Sequence, residues 1–317
     1  MTRVTLFALV TLSAAILLQP AGAAATGETR VLVVLATPGA RPYTVAEVER
    51  TMHEADGFLR TASLGQVRLH IDVTPWIAAF TANPGCGAMN GSLETVVEPA
   101  RFAADRAGYD TSHYDNVIYA IAESHCGFQG TAWGHEVMLA RQPTVRLVVH
   151  ELGHALGLGH AQASNCASAW LSCGLYDTGD PFSPMGTGIL DFSAYEKVVL
   201  GWIRPQPHVN SAKHYLLAPP KIKTTSAQAL LVETAQGTWW IEYRSQPFRG
   251  LLVRLVYRTT IESPFAPSAV LIRNPTKAGR PWIARGESYR IPRSFRVALV
   301  HAGAARAEVA FSRAPAP

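Results

Sequence analysis

The sequence predicts an α+β fold, in which a mixed, twisted sheet with packed helices is followed by a small all-β, sandwich-like domain. Between residues 30 and 122, strand-like apolar runs alternate with segments of helical spacing. Residues 145–156 then form an apolar helical run that carries two histidines. Beyond residue 202 the chain changes to short apolar runs separated by Pro, Gly and Asn, which is typical of a β-sandwich.

Strands and helices of the first part follow from the period of their apolar residues. Continuous apolar runs or strict alternation predict strands at residues 30–37, 67–73, 116–122 and 133–140. Helical spacing predicts helices at residues 44–64, 93–107, 145–156 and 193–200. The segments 83–91 and 164–188 are rich in turn-forming residues and are predicted as loops.

The second part is predicted from seven short apolar runs. They lie at residues 215–217, 229–233, 238–244, 250–257, 269–272, 295–301 and 307–311. The change of rhythm places a boundary near residues 204–207, so we expect domains at residues 26–204 and 205–317.

Composition and charge exclude a disordered chain and separate the two parts. The chain has 317 residues, 48% of them hydrophobic, which is enough for one or two sizeable cores. Residues 1–204 hold 12 Lys/Arg and 18 Asp/Glu, whereas residues 205–317 hold 16 and 5. A basic second domain allows contact with an acidic cell-surface polymer or a membrane surface, and a solvated basic face explains the charge equally well. Nothing in the pattern indicates nucleic acid.

The N-terminus has the pattern of a secretory signal peptide over residues 1–25. A positive start at residues 1–3 precedes an apolar run at 4–18, and small residues suited to cleavage occupy 21–25. An uncleaved membrane anchor is the alternative, but a span needs about 20 apolar residues. We therefore expect a secreted, extracellular or periplasmic protein without a transmembrane anchor.

The chain has four cysteines. Because extracellular and periplasmic compartments are oxidising, these cysteines are candidates for disulfides. Three pairings are possible. Cys166 and Cys173 flank a short loop, while Cys86 and Cys126 both lie in glycine-containing turns. These positions favour the pairs Cys86–Cys126 and Cys166–Cys173.

The stretch HELGHALGLGH, residues 150–160, contains the candidate metal ligands. His150 and His154 are four residues apart, so on a helix they point from one face and can hold one ion. On a continued helix His160 would lie about 9 Å beyond His154 at 1.5 Å per residue, out of reach of that ion. Gly157 permits the chain to turn back, because glycine accepts positive φ and often follows a helix end. Gly153, inside the helix, indicates close packing against a neighbour that the sequence does not identify.

Three imidazoles leave a fourth coordination position for water, the arrangement of a catalytic zinc site. Zn²⁺ lowers the pKa of that water to about 7 and polarises a carbonyl group. Glu151 is then placed to act as the general base and to return the proton to a leaving amine. The five motif residues are His150, Glu151, His154, Gly157 and His160. Residues of these types at this spacing would occur by chance on the order of 10⁻⁷ times per window. A bound zinc ion without turnover is the harder alternative to exclude.

The motif is similar to the extended zinc signature of the metzincin metallopeptidases, and residues 181–186, PFSPMG, resemble their methionine turn. With residues 176–180, YDTGD, the likeness is strongest to the gametolysin (autolysin) type. Residues 195–202 and 239–244 agree, so the resemblance covers roughly residues 30–258. It implies a metzincin-like catalytic domain in which Met185 forms an apolar floor and is not a ligand.

The resemblance also implies that strand 133–140 edges the cleft and pairs with an extended peptide. Two departures are visible. Thr187 replaces the tyrosine that some metzincins place near the metal, and only a few residues separate the signal cleavage from residue 30, so latency through a prosegment is doubtful. His125 and His135 lie near the strand but are not expected to be ligands. Asp177 and Asp180 leave a calcium site possible but not indicated, because turn-forming aspartates are commoner.

These observations lead to a secreted zinc endopeptidase acting on a protein or peptide substrate through one catalytic zinc ion. Two alternatives stay open. One is a peptidase or amidase of cell-wall peptides, anchored by the basic β domain. The other is a binding protein that keeps zinc for structure only.

Overall fold

The computed structural model describes residues 25–82, 94–122, 128–165, 174–257, 268–273, 275 and 279–313. It shows a mixed α+β protein with three sheets. The four cysteines, His125, the predicted loop at 83–91 and residues 1–24 of the predicted signal peptide lie outside the described residues. Within the described residues no helix is both long and apolar enough to span a membrane.

The first sheet has the order β2-β1-β4-β6-β5, with the two-residue β3 also paired to β1. Its strands are β1 (Gly27–Thr37), β2 (Val67–Val73), β3 (Ile77–Ala78), β4 (Asn116–Ile121), β5 (Gly130–Trp133) and β6 (Glu136–Leu139). Strands β2, β1, β4 and β6 run parallel, and β5 lies antiparallel at the edge. The central strands β1 and β4 are buried on both faces, as their continuous apolar runs predicted.

The described residues form four α-helices, three of which cover the two faces of this sheet. Their bounds are α1 (Val45–Ala62), α2 (Glu94–Arg106), α3 (Val145–Ala155) and α4 (Ala194–Val199). Thr44 caps α1 through a capping box with Glu47, and Thr144 caps α3 by accepting from the Leu147 N–H. One apolar cluster joins α1 and α3 to one face of the sheet, and a second joins α2 to the opposite face.

One predicted strand was wrong in its bounds. Residues 133–140 do not form a single strand, because Gly134 turns the chain at φ +56° and makes a hairpin of β5 and β6. The edge strand is therefore β5, which begins at Gly130, before the predicted segment.

Two further sheets are built from the strands that follow α3. Their strands are β7 (Gln162–Ser164), β8 (Leu175–Tyr176), β9 (His214–Leu217), β10 (Ala229–Thr234), β11 (Gly237–Arg244), β12 (Gly250–Tyr257), β13 (Ala269–Ile272), β14 (Ser288–Arg290), β15 (Phe295–Ala302) and β16 (Ala307–Arg313). One sheet has the order β10-β11-β12-β13-β7-β8 and the other β14-β15-β16-β9. A shared apolar cluster lies between them. The boundary near residue 204 remains a prediction, and strands from both sides of it share one sheet.

Candidate metal centre

The structure brings His150, His154 and His160 together. One ring nitrogen of each lies within 4.8 Å of the others, a spacing at which three imidazoles can hold one metal ion. The ring centroids are 4.8 to 5.3 Å apart. Helix α3 supplies the first two histidines from one face, and the segment after the helix supplies the third.

The reversal after α3 is a Schellman motif. Gly157 has φ +93°, its N–H donates to the His154 carbonyl at 2.9 Å, and the Leu158 N–H donates to the Gly153 carbonyl at 2.9 Å. Gly157 thus takes the left-handed conformation that the sequence suggested for ending the helix. The chain then returns so that His160 faces the histidines of the helix.

Each imidazole is oriented by a hydrogen bond at Nδ1. His150 Nδ1 lies 2.8 Å from the Pro184 carbonyl oxygen, and His154 Nδ1 lies 2.8 Å from that of Leu158. Because a carbonyl oxygen only accepts, both Nδ1 atoms carry the proton, and Nε2 is the nitrogen that bears the lone pair. This outer arrangement fixes ring tautomer and direction in metal sites.

His160 is oriented by a carboxylate. Its Nδ1 lies 2.6 Å from Oδ2 of Asp177, whose other oxygen accepts from Gln162. The carboxylate, the imidazole and the metal position thus form the type of triad that strengthens a histidine ligand. The sequence predicts Asp177 only as a turn residue or a possible calcium ligand, and no local pattern marks its role beside His160.

Burial keeps two of the three imidazoles neutral. It lowers the pKa of His150 to about 4 and also lowers the pKa of His154. A metal ion binds only the unprotonated nitrogen, so both rings are ready for a cation at neutral pH without first losing a proton.

Glu151 is buried beside the edge strand β5. A Cβ at Gly130 would lie 2.6 Å from Glu151 Oε1, so β5 passes directly over the carboxylate. The other oxygen, Oε2, is buried without a hydrogen-bond partner among the described residues. Burial raises the pKa of Glu151 to about 8. A buried, unsatisfied carboxylate is costly, and a nearby cation with its water would both ionise and satisfy it.

Met185 lies under α3 and is completely buried. A Cβ at Gly153 would lie 2.3 Å from Met185 Sδ, so Met185 is the close neighbour that the glycine accommodates. The Met185 N–H donates to the hydroxyl of Ser183, and that hydroxyl donates to Glu196 of α4. Helix α4 therefore holds the turn that carries Met185.

The remaining predicted candidates lie apart from the three histidines. His135 is exposed in the hairpin turn between β5 and β6, outside the histidine group. Asp180 is fully buried and forms an ion pair with Arg254, so its carboxylate is engaged in an internal contact. Thr187 closes the turn by donating its N–H to the Asp180 carbonyl.

No protein-family model and no curated protein matches the chain. Among solved structures, it is similar to a chain described as the structure of a chaperone-substrate complex, with TM-score 0.33 and 16% identity over 51% of this chain and 31% of that one. It is also similar to metalloproteinase-II from Bacteroides fragilis, with TM-score 0.33 and 13% identity over 58% of this chain and 55% of that one. The chain thus spans less than two thirds of either protein.

Proposed function

We propose that the protein is a secreted zinc endopeptidase in which His150, His154 and His160 hold the ion and Glu151 is the general base. The single observation that carries the proposal is the convergence of three imidazoles, anchored through Nδ1, next to a buried carboxylate with an unsatisfied oxygen. Imidazole nitrogen is a suitable ligand for zinc, and also for copper, iron and nickel.

The site residues fit a catalytic rather than a structural ion. Structural zinc has four protein ligands, whereas the only ligand group among the described residues consists of three histidines. When bound, zinc supplies a Lewis acid that lowers the pKa of a water molecule to about 7 and polarises a peptide carbonyl.

Glu151 supplies the proton transfer. Its carboxylate accepts the proton of the attacking water and then donates it to the amine that leaves when the peptide bond breaks. Burial beside β5 keeps bulk water away from this carboxylate and strengthens its interaction with a nearby cation. Met185 and the turn beneath it hold α3 in place and take no part in the transfer.

The substrate is an extended peptide bound along β5. This strand pairs with β6 on one side only within the described part of the chain, so its outer edge offers backbone donors and acceptors. Because β5 passes over Glu151, a peptide added to this edge lies across the metal centre.

The proposal is tested by metal analysis and hydrolysis with purified protein. We expect about one zinc per chain, cleavage of casein or gelatin, loss of cleavage with chelator and recovery with zinc. Glu151→Gln should lower the rate about 10²- to 10⁴-fold while keeping the zinc. Glu54→Gln, on an exposed part of α1, is the matched control and should keep full activity. Full activity of Glu151→Gln would refute the assigned role, and a zinc-loaded protein without any hydrolysis would favour a binding function.

We also propose an acidic cell-surface polymer as a partner of the second domain. Arg290 of β14 and Arg296 of β15 are exposed and directly opposite in register, a like-charge pair that weakens a sheet. Arg293, in the connecting turn, has φ +54°. This basic hairpin is suited to an anionic chain such as a cell-wall polymer. Binding to purified wall material that falls with salt, and falls again in Arg290→Ser/Arg296→Ser, is the expected result, and equal binding by the variant would contradict it.

A further inference from the structure

The loop that supports the metal centre is held by β12, a strand much further along the chain. Arg254 of β12 donates from Nε and Nη2 to Oδ2 of Asp180, at 3.0 and 2.8 Å. Both side chains are almost completely buried. The two residues are 74 positions apart, so this contact is a tertiary one between the β12 sheet and the loop after the zinc motif.

Asp180 in turn shapes the turn that orients His150. Its Oδ1 accepts from the N–H groups of Phe182 and Ser183, at 2.8 and 3.3 Å, and this fixes the start of the turn. Further along the same turn, the Pro184 carbonyl accepts the Nδ1 proton of His150. A continuous set of contacts therefore leads from the guanidinium of Arg254 to an imidazole of the metal centre.

On its other side the guanidinium forms an ion pair with Glu242, in which Nη1 makes no hydrogen bond. Its Nη1 lies 2.9 Å from Oε1 of Glu242, and the other oxygen of Glu242 accepts from the Ala194 N–H at the start of α4. Arginine is suited to this position, because its planar fork can reach two carboxylates at once in a fixed geometry. Lysine retains the charge but not the fork.

A second connection reaches His160. Strand β7 begins two residues after His160 and pairs in parallel with β13, and β8, which pairs with β7, ends immediately before Asp177. An apolar cluster of Ala163, Phe182, Leu252 and Leu271 packs across the same junction. Strands β12 and β13 thus support both His160 and the carboxylate that orients it.

We infer that Arg254 is a positioning residue of the metal centre and that the second β domain completes this centre, so that it is not a separable anchor. The inference rests on the proposed function for the identity of the ion. It predicts that metal affinity depends on a residue that touches neither the ion nor its ligands.

The experiment compares two conservative variants of buried arginines in the full-length protein. Arg254→Lys removes the fork at Asp180. Arg244→Lys is the matched control, because Arg244 is equally buried and also pairs with Glu242, but donates to the Phe192 carbonyl and lies beside Asp191 instead of Asp180. Zinc affinity is measured by chelator competition and ligand geometry by the visible spectrum of the cobalt-loaded protein.

We expect Arg254→Lys to bind zinc about 10- to 100-fold more weakly and to shift the cobalt spectrum, whereas Arg244→Lys stays within about threefold of the parent protein. Asp180→Asn provides the second variant. If the two residues act through one contact, Arg254→Lys adds little to the loss in Asp180→Asn, and this holds even where either single variant is less stable. Circular dichroism confirms that each variant is folded.

Parent-like zinc affinity in Arg254→Lys, or an equal loss in Arg244→Lys, would overturn the inference. A parent protein that binds zinc but does not cleave peptides would refute the proposed peptidase and leave the role of Arg254 standing. A parent protein without zinc affinity would overturn both.

Discussion

Gly153 gives the sharpest test of the packing beneath the metal centre. Alanine in place of a helical glycine normally stabilises a protein by about 0.5–1 kcal/mol. At Gly153, however, the added Cβ would lie 2.3 Å from Met185 Sδ and 3.2 Å from Met185 Cε, inside a fully buried site. Overpacking of this kind costs about 1–3 kcal/mol. We therefore expect Gly153→Ala to destabilise the protein by about 1 kcal/mol, the centre of a net range of roughly 0 to 2.5 kcal/mol for these two effects.

Gly57 of α1 is the matched control, because a Cβ there meets nothing within 4 Å. Gly57→Ala should stabilise the protein by about 0.5–1 kcal/mol, opposite in sign to Gly153→Ala. Urea unfolding of the zinc-free proteins measures both, so that bound metal does not contribute to stability. Met185→Ala removes the side chain that the new Cβ would meet. In a double-mutant cycle the two substitutions should therefore show a coupling energy of about 1–3 kcal/mol. Equal stabilisation by the two alanine substitutions would show that Met185 does not lie where the structure places it.

Three further predictions concern the loop and the buried charges. Gly157→Ala forces alanine to φ +93° and should destabilise the protein by about 1–2 kcal/mol in urea unfolding; an unchanged midpoint would contradict the Schellman turn. Asp177→Asn should weaken zinc binding about 10- to 100-fold in chelator competition without unfolding the protein, because the Asp177 side chain is exposed; parent-like affinity would mean that His160 does not depend on it. Burial alone would raise the pKa of Glu242, but Arg244 and Arg254 outweigh it and lower the pKa to about 2 from 4.5. Its ionised form therefore contributes stability above about pH 5 that is lost as pH falls toward 2, about 3 kcal/mol in all. Urea unfolding from pH 5 to 2 should show this loss, and Glu242→Gln should lack that part of it; parallel curves would argue against the ion pairs.

Features with a local cause were predictable from sequence. The apolar period of α1 and α3 gave their positions within a few residues, and Gly157 marked the end of the zinc-bearing helix. Gly134 is a signal of the same kind, because its positive φ turns the chain into a hairpin where the apolar run alone predicts one strand.

Features that depend on distant partners were not predictable. Gly153 indicated a close neighbour, but its identity as Met185 follows only from how the turn folds back under α3. Asp180 resembled an ordinary turn residue, since its partner Arg254 is far along the chain. A single sequence shows the kinds of residue present but not which buried charges meet.

The parallel pairing of β7 with β13 sets the order in which the molecule can be assembled. The strand that follows His160 finds its partner only after residue 272 has been synthesised, whereas the strands of the first sheet are available much earlier. Contacts between distant segments form late, and N-terminal units fold first during synthesis. A nascent chain therefore contains α3 long before β13, the strand that pairs beside His160, has been synthesised. A chain truncated before β13 never acquires that pairing.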